Sequence, residues 1–173
     1  MIVDNKKEDP GRLSGKRISL RLIKEQDLML TLSWRNQDRV RQMFLTSYII
    51  TQAGHFEWFK KYLTKTDDLL FLIEKKPDAT AIGQIGIYNI DYKNKVAEYG
   101  RLIIGPTEEL GKGYAEEASN IVFDFCKTAL KLDHLYLEVK NENLPAQKLY
   151  KKLGFSPATN QSNATVLKLT KKL

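Results

Sequence analysis

In RISLRLI, apolar and polar positions alternate with a period of two, so that Ile18, Leu20 and Leu22 line one face of a half-buried strand. KEQDLMLTLSWRN changes period and reads as a short helix, with Leu28, Leu32 and Arg35 near one face. A second helix is predicted over QAGHFEWFKKYL, with Thr51 as its N-cap and Phe56, Phe59 and Leu63 at helical spacing. Three strand-like runs come next: LLFLIEK, AIGQIGIYNID and VAEYGRLIIG. KPDAT and YKNK join them, and their turn formers predict an antiparallel meander. In YAEEASNIVFDFCKTALKL the helical period returns: Ala115, Ala118, Val122, Phe125 and Ala129 form an apolar stripe, with Glu116, Glu117 and Asp124 off it. HLYLEV reads as a strand and LPAQKLYKKLGF as a helix that stops at Gly154. ATVLKLTKK is the final strand, after the polar loop PATNQSN.

The order strand, two helices, meander, helix, strand, helix, strand predicts a single α+β or mixed α/β domain over residues 14–173, with residues 1–13 as a flexible N-terminus. No repeat or linker divides it. A chain of 173 residues needs no staple, since a domain of this size buries roughly 70% of its unfolded surface. Cys126 is the single cysteine, and His55 and His134, far apart, are the two histidines. An internal disulfide and a Cys- or His-rich metal site are therefore not expected. The first residues, MIVDNKKEDPGR, lack the apolar core of a signal peptide, and no apolar run is long enough to span a bilayer. A cytoplasmic protein with no membrane partner is the expectation.

Charge adds a direction. The formal net charge is +7, from 28 basic and 21 acidic residues, which suits an anionic ligand. The basic residues are interleaved with acids along the chain, apart from KLTKK. A nucleic-acid binder gathers them into one stripe, so nucleic acid is not the expected partner.

IIGPTEELGKGYAEEA joins a strand to a helix through Gly111 and Gly113. Glycines let the backbone approach a ligand closely, and the unpaired N–H groups of a helix start attract anions. A P-loop reading fails, because Gly105 and Gly111 are one residue too far apart and Gly113 stands where Ser or Thr belongs. A dinucleotide fingerprint fails at Glu116, which occupies the third glycine position.

Leu110-Gly111-Lys112-Gly113-Tyr114-Ala115 resembles the pyrophosphate loop of the GNAT acetyltransferases, [QR]-x-x-G-x-[GA], with Leu110 departing from the usual Arg or Gln. VKNENLPAQKLYKKLGF resembles their second signature, N-x-x-A-x-x-x-Y-x-x-x-G-F, filled by Asn143, Ala146, Tyr150, Gly154 and Phe155. The resemblance implies a mostly antiparallel twisted sheet of six or seven strands flanked by about four helices. It implies acetyl-CoA as cosubstrate, with no metal, and acetyl transfer to a primary amine. The backbone of residues 110–115 would cradle the coenzyme A pyrophosphate, and Leu102, Ile103 and Ile104 would offer backbone groups to pantetheine. Asn143 would hydrogen-bond pantetheine or cap its helix, and Ala146 would lie beside it. Tyr150 would protonate the leaving thiolate, as a phenol with a pKa near 10 can. An alkylammonium is only about one part in a thousand neutral at pH 7, so a base helps: Glu98 is the first candidate and Glu138 the second.

For the acceptor, WRN at Trp34–Asn36 followed by His55, Trp58 and Phe59 resembles GNAT members that acetylate nucleotide-linked amino sugars, of the UDP-4-amino-dideoxy type used on the route to pseudaminic acid. Arg35, Arg39 and Arg41 would supply guanidinium forks for a diphosphate, and His55 and Trp58 would meet base or sugar. A cationic polyamine suits a +7 chain poorly. A Rim-like protein N-terminal or antibiotic-modifying acetyltransferase shares both C-terminal motifs and remains an alternative, as does a non-catalytic acyl-CoA-binding domain. Homodimers are frequent among such enzymes.

Overall fold

The computed structural model describes residues 7–159 and 165–173. Its strands are β1 (Leu13–Ser14), β2 (Ile18–Leu22), β3 (Leu69–Lys75), β4 (Thr80–Asp91), β5 (Val96–Ile104), β6 (His134–Lys140), β7 (Ser156–Pro157) and β8 (Val166–Lys172). The helices are α1 (Leu28–Arg35), α2 (Asp38–Arg41), α3 (Gln52–Thr64), α4 (Tyr114–Thr128) and α5 (Leu144–Lys152). All eight strands lie in one sheet, ordered β1-β2-β3-β4-β5-β6-β8-β7. Every pairing is antiparallel except β5 with β6. The count corrects the expected six or seven strands and four helices. The additions are the two-residue β1 and β7 and the four-residue α2, too short to carry a periodicity.

Both faces of the sheet are covered, which is why LLFLIEK shows no alternation. Phe71 and Ile73 of β3 face a core shared with Ala118, Val122 and Phe125 of α4 and with Leu153 and Phe155. Leu70 packs on the other face with Leu28, Phe59 and Tyr62, and Leu72 with Trp34, Val40 and Ile103. Two predicted stripes are corrected. In α3 the buried residues are His55, Phe59 and Tyr62, while Leu63 is half-exposed, because the helix rolls its histidine toward α1. In α4 the buried face runs through Ser119, Phe123 and Cys126 as well as Ala118, Val122 and Phe125, whereas Ala129 lies past the helix end and is exposed.

Of the segment read as a flexible N-terminus, residues 1–6 lie outside the described residues. Leu13 pairs with Leu20, and the Arg12 guanidinium pairs with Glu74. Residues 160–164, most of the PATNQSN loop and the start of ATVLKLTKK, also lie outside them.

Two irregularities in β5 shape the surface beside it. Opposite Gln84–Gly86 of β4, β5 carries one extra residue, and Arg101 there takes a left-handed φ of 52°. Such bulges bend a strand and re-aim its side chains. On its other side β5 pairs with β6 only from Val96 to Glu98. Beyond that point the parallel strands part, leaving the β5 edge from Tyr99 to Ile104 and the β6 edge from Leu137 to Lys140 without each other.

Candidate active site

A cavity of about 980 Å³ opens where β5 and β6 diverge. Its lining includes Leu102, Ile103, Ile104, Leu110, Ala115, Asn143, Ala146, Leu149 and Tyr150. It also includes Arg35, His55, Trp58, Tyr88, Glu98 and Arg101. The sequence motifs and the candidate acceptor residues thus meet in one space. Gly111, Lys112, Gly113 and Tyr114 do not line it and form the turn at its rim.

That turn is a donor cradle. Gly111 and Gly113 sit at φ of 74° and 83°, a region that favours glycine. The amides of Gly111 through Glu116 donate to no described residue, whereas Leu110 and Glu117 on either side donate to Thr107 and Gly113. Gly113 is the N-cap of α4 and offers no side-chain cap, so the helix start keeps its orphan donors and its partial positive charge. These residues fit a diphosphate. The Lys112 ammonium turns away to Glu109, 2.9 Å distant, and so contributes only backbone to the cradle.

Tyr150, on α5, meets Tyr99 edge-on at 6.0 Å and Phe155 at 5.9 Å between ring centroids. Burial pushes its hydroxyl up to about 12, so it stays protonated at neutral pH. Asn143 caps α5 by accepting from the Ala146 amide at 3.2 Å, and the same residue lines the cavity.

Glu98 faces Tyr88 across the β4–β5 ladder. Its two carboxylate oxygens accept from the Tyr88 hydroxyl at 3.0 Å and the Asn89 amide nitrogen at 2.8 Å. Glu138 also lines the cavity, from β6. Neither Tyr88 nor Arg101 is singled out by a sequence motif. The hairpin register opposite Glu98 is the signal that could have found Tyr88, but no residue pattern announces the bulge that aims Arg101. The Arg101 guanidinium lies 4.0 Å over the Tyr88 ring and pairs with buried Asp68 at 2.7 Å.

WRN divides its work among three side chains. Trp34 is buried with its ring against Gly105, where a Cβ would stand 2.2 Å away, which fixes α1 to the end of β5. Asn36 exchanges two hydrogen bonds with the backbone of Ile50, at 2.8 and 2.9 Å, and pins the 42–50 loop. Arg35 reaches the cavity at 8% exposure. Its Nη2 donates to the Thr46 carbonyl at 2.6 Å and its guanidinium lies 4.1 Å over Phe44. Its Nη1 has no partner among the described residues, and burial lowers its pKa. His55 is buried, 3.2 Å from the Thr31 hydroxyl and stacked on Trp58 at 5.2 Å; burial lowers its pKa as well. Two expected guanidinium forks are occupied by the protein itself. Arg39 donates to the carbonyls of Ile104 and Gly105, and Arg41 is tied to Asp38 and Ser47 and does not line the cavity.

The sequence profile of the acetyltransferase (GNAT) domain matches residues 17–156. The chain belongs to the GNAT acetyltransferase family. It is an acetyl-CoA-dependent N-acetyltransferase, and the mixed sheet split between β5 and β6 is its GNAT fold. Spermidine N(1)-acetyltransferase of Escherichia coli strain K12 is 29% identical over 143 residues, 83% of this chain and 75% of that protein. Among solved structures, spermidine N-acetyltransferase from Vibrio cholerae in complex with CoA and spermine superposes with a TM-score of 0.80 at 24% identity, covering 91% of this chain and 96% of that one. FdhC, a nucleotide-linked sugar GNAT, superposes with a TM-score of 0.74 at 20% identity, covering 96% of this chain and 90% of that one. At these identities the two structures share the GNAT fold with this chain. The narrower resemblance to amino-sugar-nucleotide enzymes is met at the level of the family: the E. coli relative is named for spermidine. No helix among the described residues is long and apolar enough to cross a membrane.

Proposed function

We propose that this GNAT enzyme acetylates the primary amine of a nucleotide-linked amino sugar, of the UDP-4-amino-dideoxy type. The observation that carries the acceptor class is Arg35, a buried guanidinium with no carboxylate beside it and one nitrogen left unbonded among the described residues. A buried cation without a counter-charge is strongly unfavourable, and a diphosphate matches the guanidinium fork. The cavity lining holds the cationic side chains Arg35, Arg39, Arg101 and Lys140 and the carboxylates Glu98 and Glu138. Arg101 is matched by Asp68 and Lys140 by Glu142, whereas Arg35 and Arg39 are held by backbone carbonyls. The His55–Trp58 stack offers a flat face to a base or sugar.

Acetyl-CoA supplies an activated acetyl thioester. In this reading the amides of Gly111 through Ala115 hold the pyrophosphate. The β5 edge that β6 leaves between Leu102 and Ile104, with the Ile104 carbonyl already held by Arg39, takes the pantetheine amides through its remaining groups. Ala146 and Asn143 flank the pantetheine arm. Glu98, oriented by Tyr88 and Asn89, accepts a proton from the acceptor amine directly or through water. The amine nitrogen then bonds to the acetyl carbonyl carbon as the C–S bond breaks, Tyr150 delivers its proton to the departing sulfur, and the acylated nitrogen gives up its surplus proton to the Tyr150 phenolate. The enzyme works as one domain whose sheet begins at Leu13, in the cytoplasm.

A polyamine acceptor is the second reading, and the spermidine enzyme of E. coli favours it; the cationic lining opposes it. Release of free thiol from acetyl-CoA, measured across a panel of acceptors, separates the two. Turnover with a UDP-linked 4-amino sugar and little with spermidine is the expected result. Turnover with spermidine alone would discard the sugar nucleotide and leave the acetyl transfer intact.

A further inference from the structure

The first position of the glycine-loop motif is Leu110, an exposed residue with no side-chain donor. Another residue stands against the loop. Arg17, in the turn between β1 and β2, donates from Nη1 to the Lys112 carbonyl at 2.8 Å and from Nε to Glu117 at 2.8 Å. Its backbone N–H donates to the other Glu117 oxygen at 2.7 Å, and its guanidinium lies 4.7 Å over the Tyr114 ring. Against the upward push of burial, the Arg17 amide and guanidinium hold the Glu117 carboxyl below its ordinary value.

We infer that Arg17 is a positioning residue for the coenzyme, holding the Lys112–Gly113 peptide in the orientation that presents the Gly113 N–H to the pyrophosphate. This rests on reading the loop as the cofactor cradle. In a trans peptide the carbonyl and the N–H point in opposite directions. With the Lys112 carbonyl fixed on Arg17, the Gly113 N–H faces away from it. The glycines at 111 and 113 that permit the loop also leave the peptide between them free to flip. A flipped peptide would aim a carbonyl oxygen at the phosphates and remove a donor. Arg17 blocks that alternative from outside the loop, and Glu117, one turn into α4, keeps Arg17 in place. The chain thereby supplies from residue 17 an order that the motif's own first position lacks.

The test is Arg17→Gln in the full-length protein, with CoA binding followed by calorimetry and acetyl-CoA kinetics alongside. Loss of a charge-assisted hydrogen bond predicts about tenfold weaker CoA binding. The acetyl-CoA KM should rise in step while kcat at saturation stays the same. Arg17→Lys, which keeps a donor but not the fork, should fall between. Glu117→Gln, which loosens Arg17 without removing it, should show a smaller loss of the same kind, and serves if Arg17→Gln folds poorly. Gly111→Val separates the premises: a side chain there meets no protein atom within 4 Å but disfavours the φ of 74°, so it spoils the turn itself without touching Arg17. If Gly111→Val loses CoA and neither the Arg17 nor the Glu117 variant does, the role of Arg17 is overturned and the cradle stands. Unchanged CoA affinity in Gly111→Val would remove the cradle and the inference with it.

Discussion

In the proposed reading the coenzyme is held mostly by main chain and the acceptor by side chains. The coenzyme's donors are successive amides of a glycine turn and the β5 edge that β6 leaves. The acceptor's are Arg35, His55 and Trp58, carried by two helices and aimed by contacts elsewhere. A backbone grip needs only that certain positions have no side chain, so it survives wide substitution around it. A side-chain grip depends on packing: Arg35 reaches the cavity because Trp34 seats on Gly105, and the loop over it is closed by Asn36 and Ile50. One family can therefore keep its coenzyme site while its acceptor changes.

Tyr150 is the strongest test of that division, because the proposed mechanism sets it beside the coenzyme yet has it act through a side chain. Tyr150→Phe keeps the ring against Tyr99 and Phe155 and removes only the proton. Its kcat should fall by about 10²–10⁴-fold, the usual worth of a general acid, while calorimetric CoA affinity stays unchanged. Retained turnover would mean that the thiolate leaves without help from this residue. Arg35→Met should come next. It keeps an apolar stem on Phe44 and discards the charge, raising the acceptor KM by roughly 10–100-fold with CoA affinity untouched. Because no carboxylate among the described residues pairs with this buried guanidinium, the variant should melt no lower than the wild type. An unchanged acceptor KM with a lower melting temperature would make Arg35 a packing residue and sever it from recognition.

The same division explains what the sequence can disclose. The long strands and helices are legible because each buries a face over many residues. The cradle is legible because two glycines and the Asn-Ala-Tyr-Gly-Phe spacing are local signals. Arg101 is not, since its place depends on a bulge in β5 and on Asp68 across the sheet. Arg17 is not, since its partners are about a hundred residues downstream. In α3, helical spacing picks out Phe56, Phe59 and Leu63; Phe59 is buried and Phe56 packs beside it, but the structure turns Leu63 outward and buries His55 and Tyr62. Polarity argues against burying a histidine, and the hydroxyl of Thr31 is what makes it tolerable.

His55 yields the smallest effect, and one that only the acceptor side of that division should show. Burial lowers its folded pKa below the unfolded value near 6.5. The unfolded chain then binds the extra proton more readily, so this residue's contribution to stability is fully present above about pH 6.5 and is lost as pH falls through the folded pKa. His134 is exposed, which leaves His55 as the buried histidine in that window. The melting temperature of the wild type should decline from about pH 7 to about pH 5, and His55→Gln should flatten part of that decline. CoA affinity should stay level over the same range, because the cradle's amides do not titrate. Equal acid slopes in the two proteins would show that the imidazole takes up its proton without leaving the fold, and the Thr31 contact would then bind a charged ring rather than a neutral one.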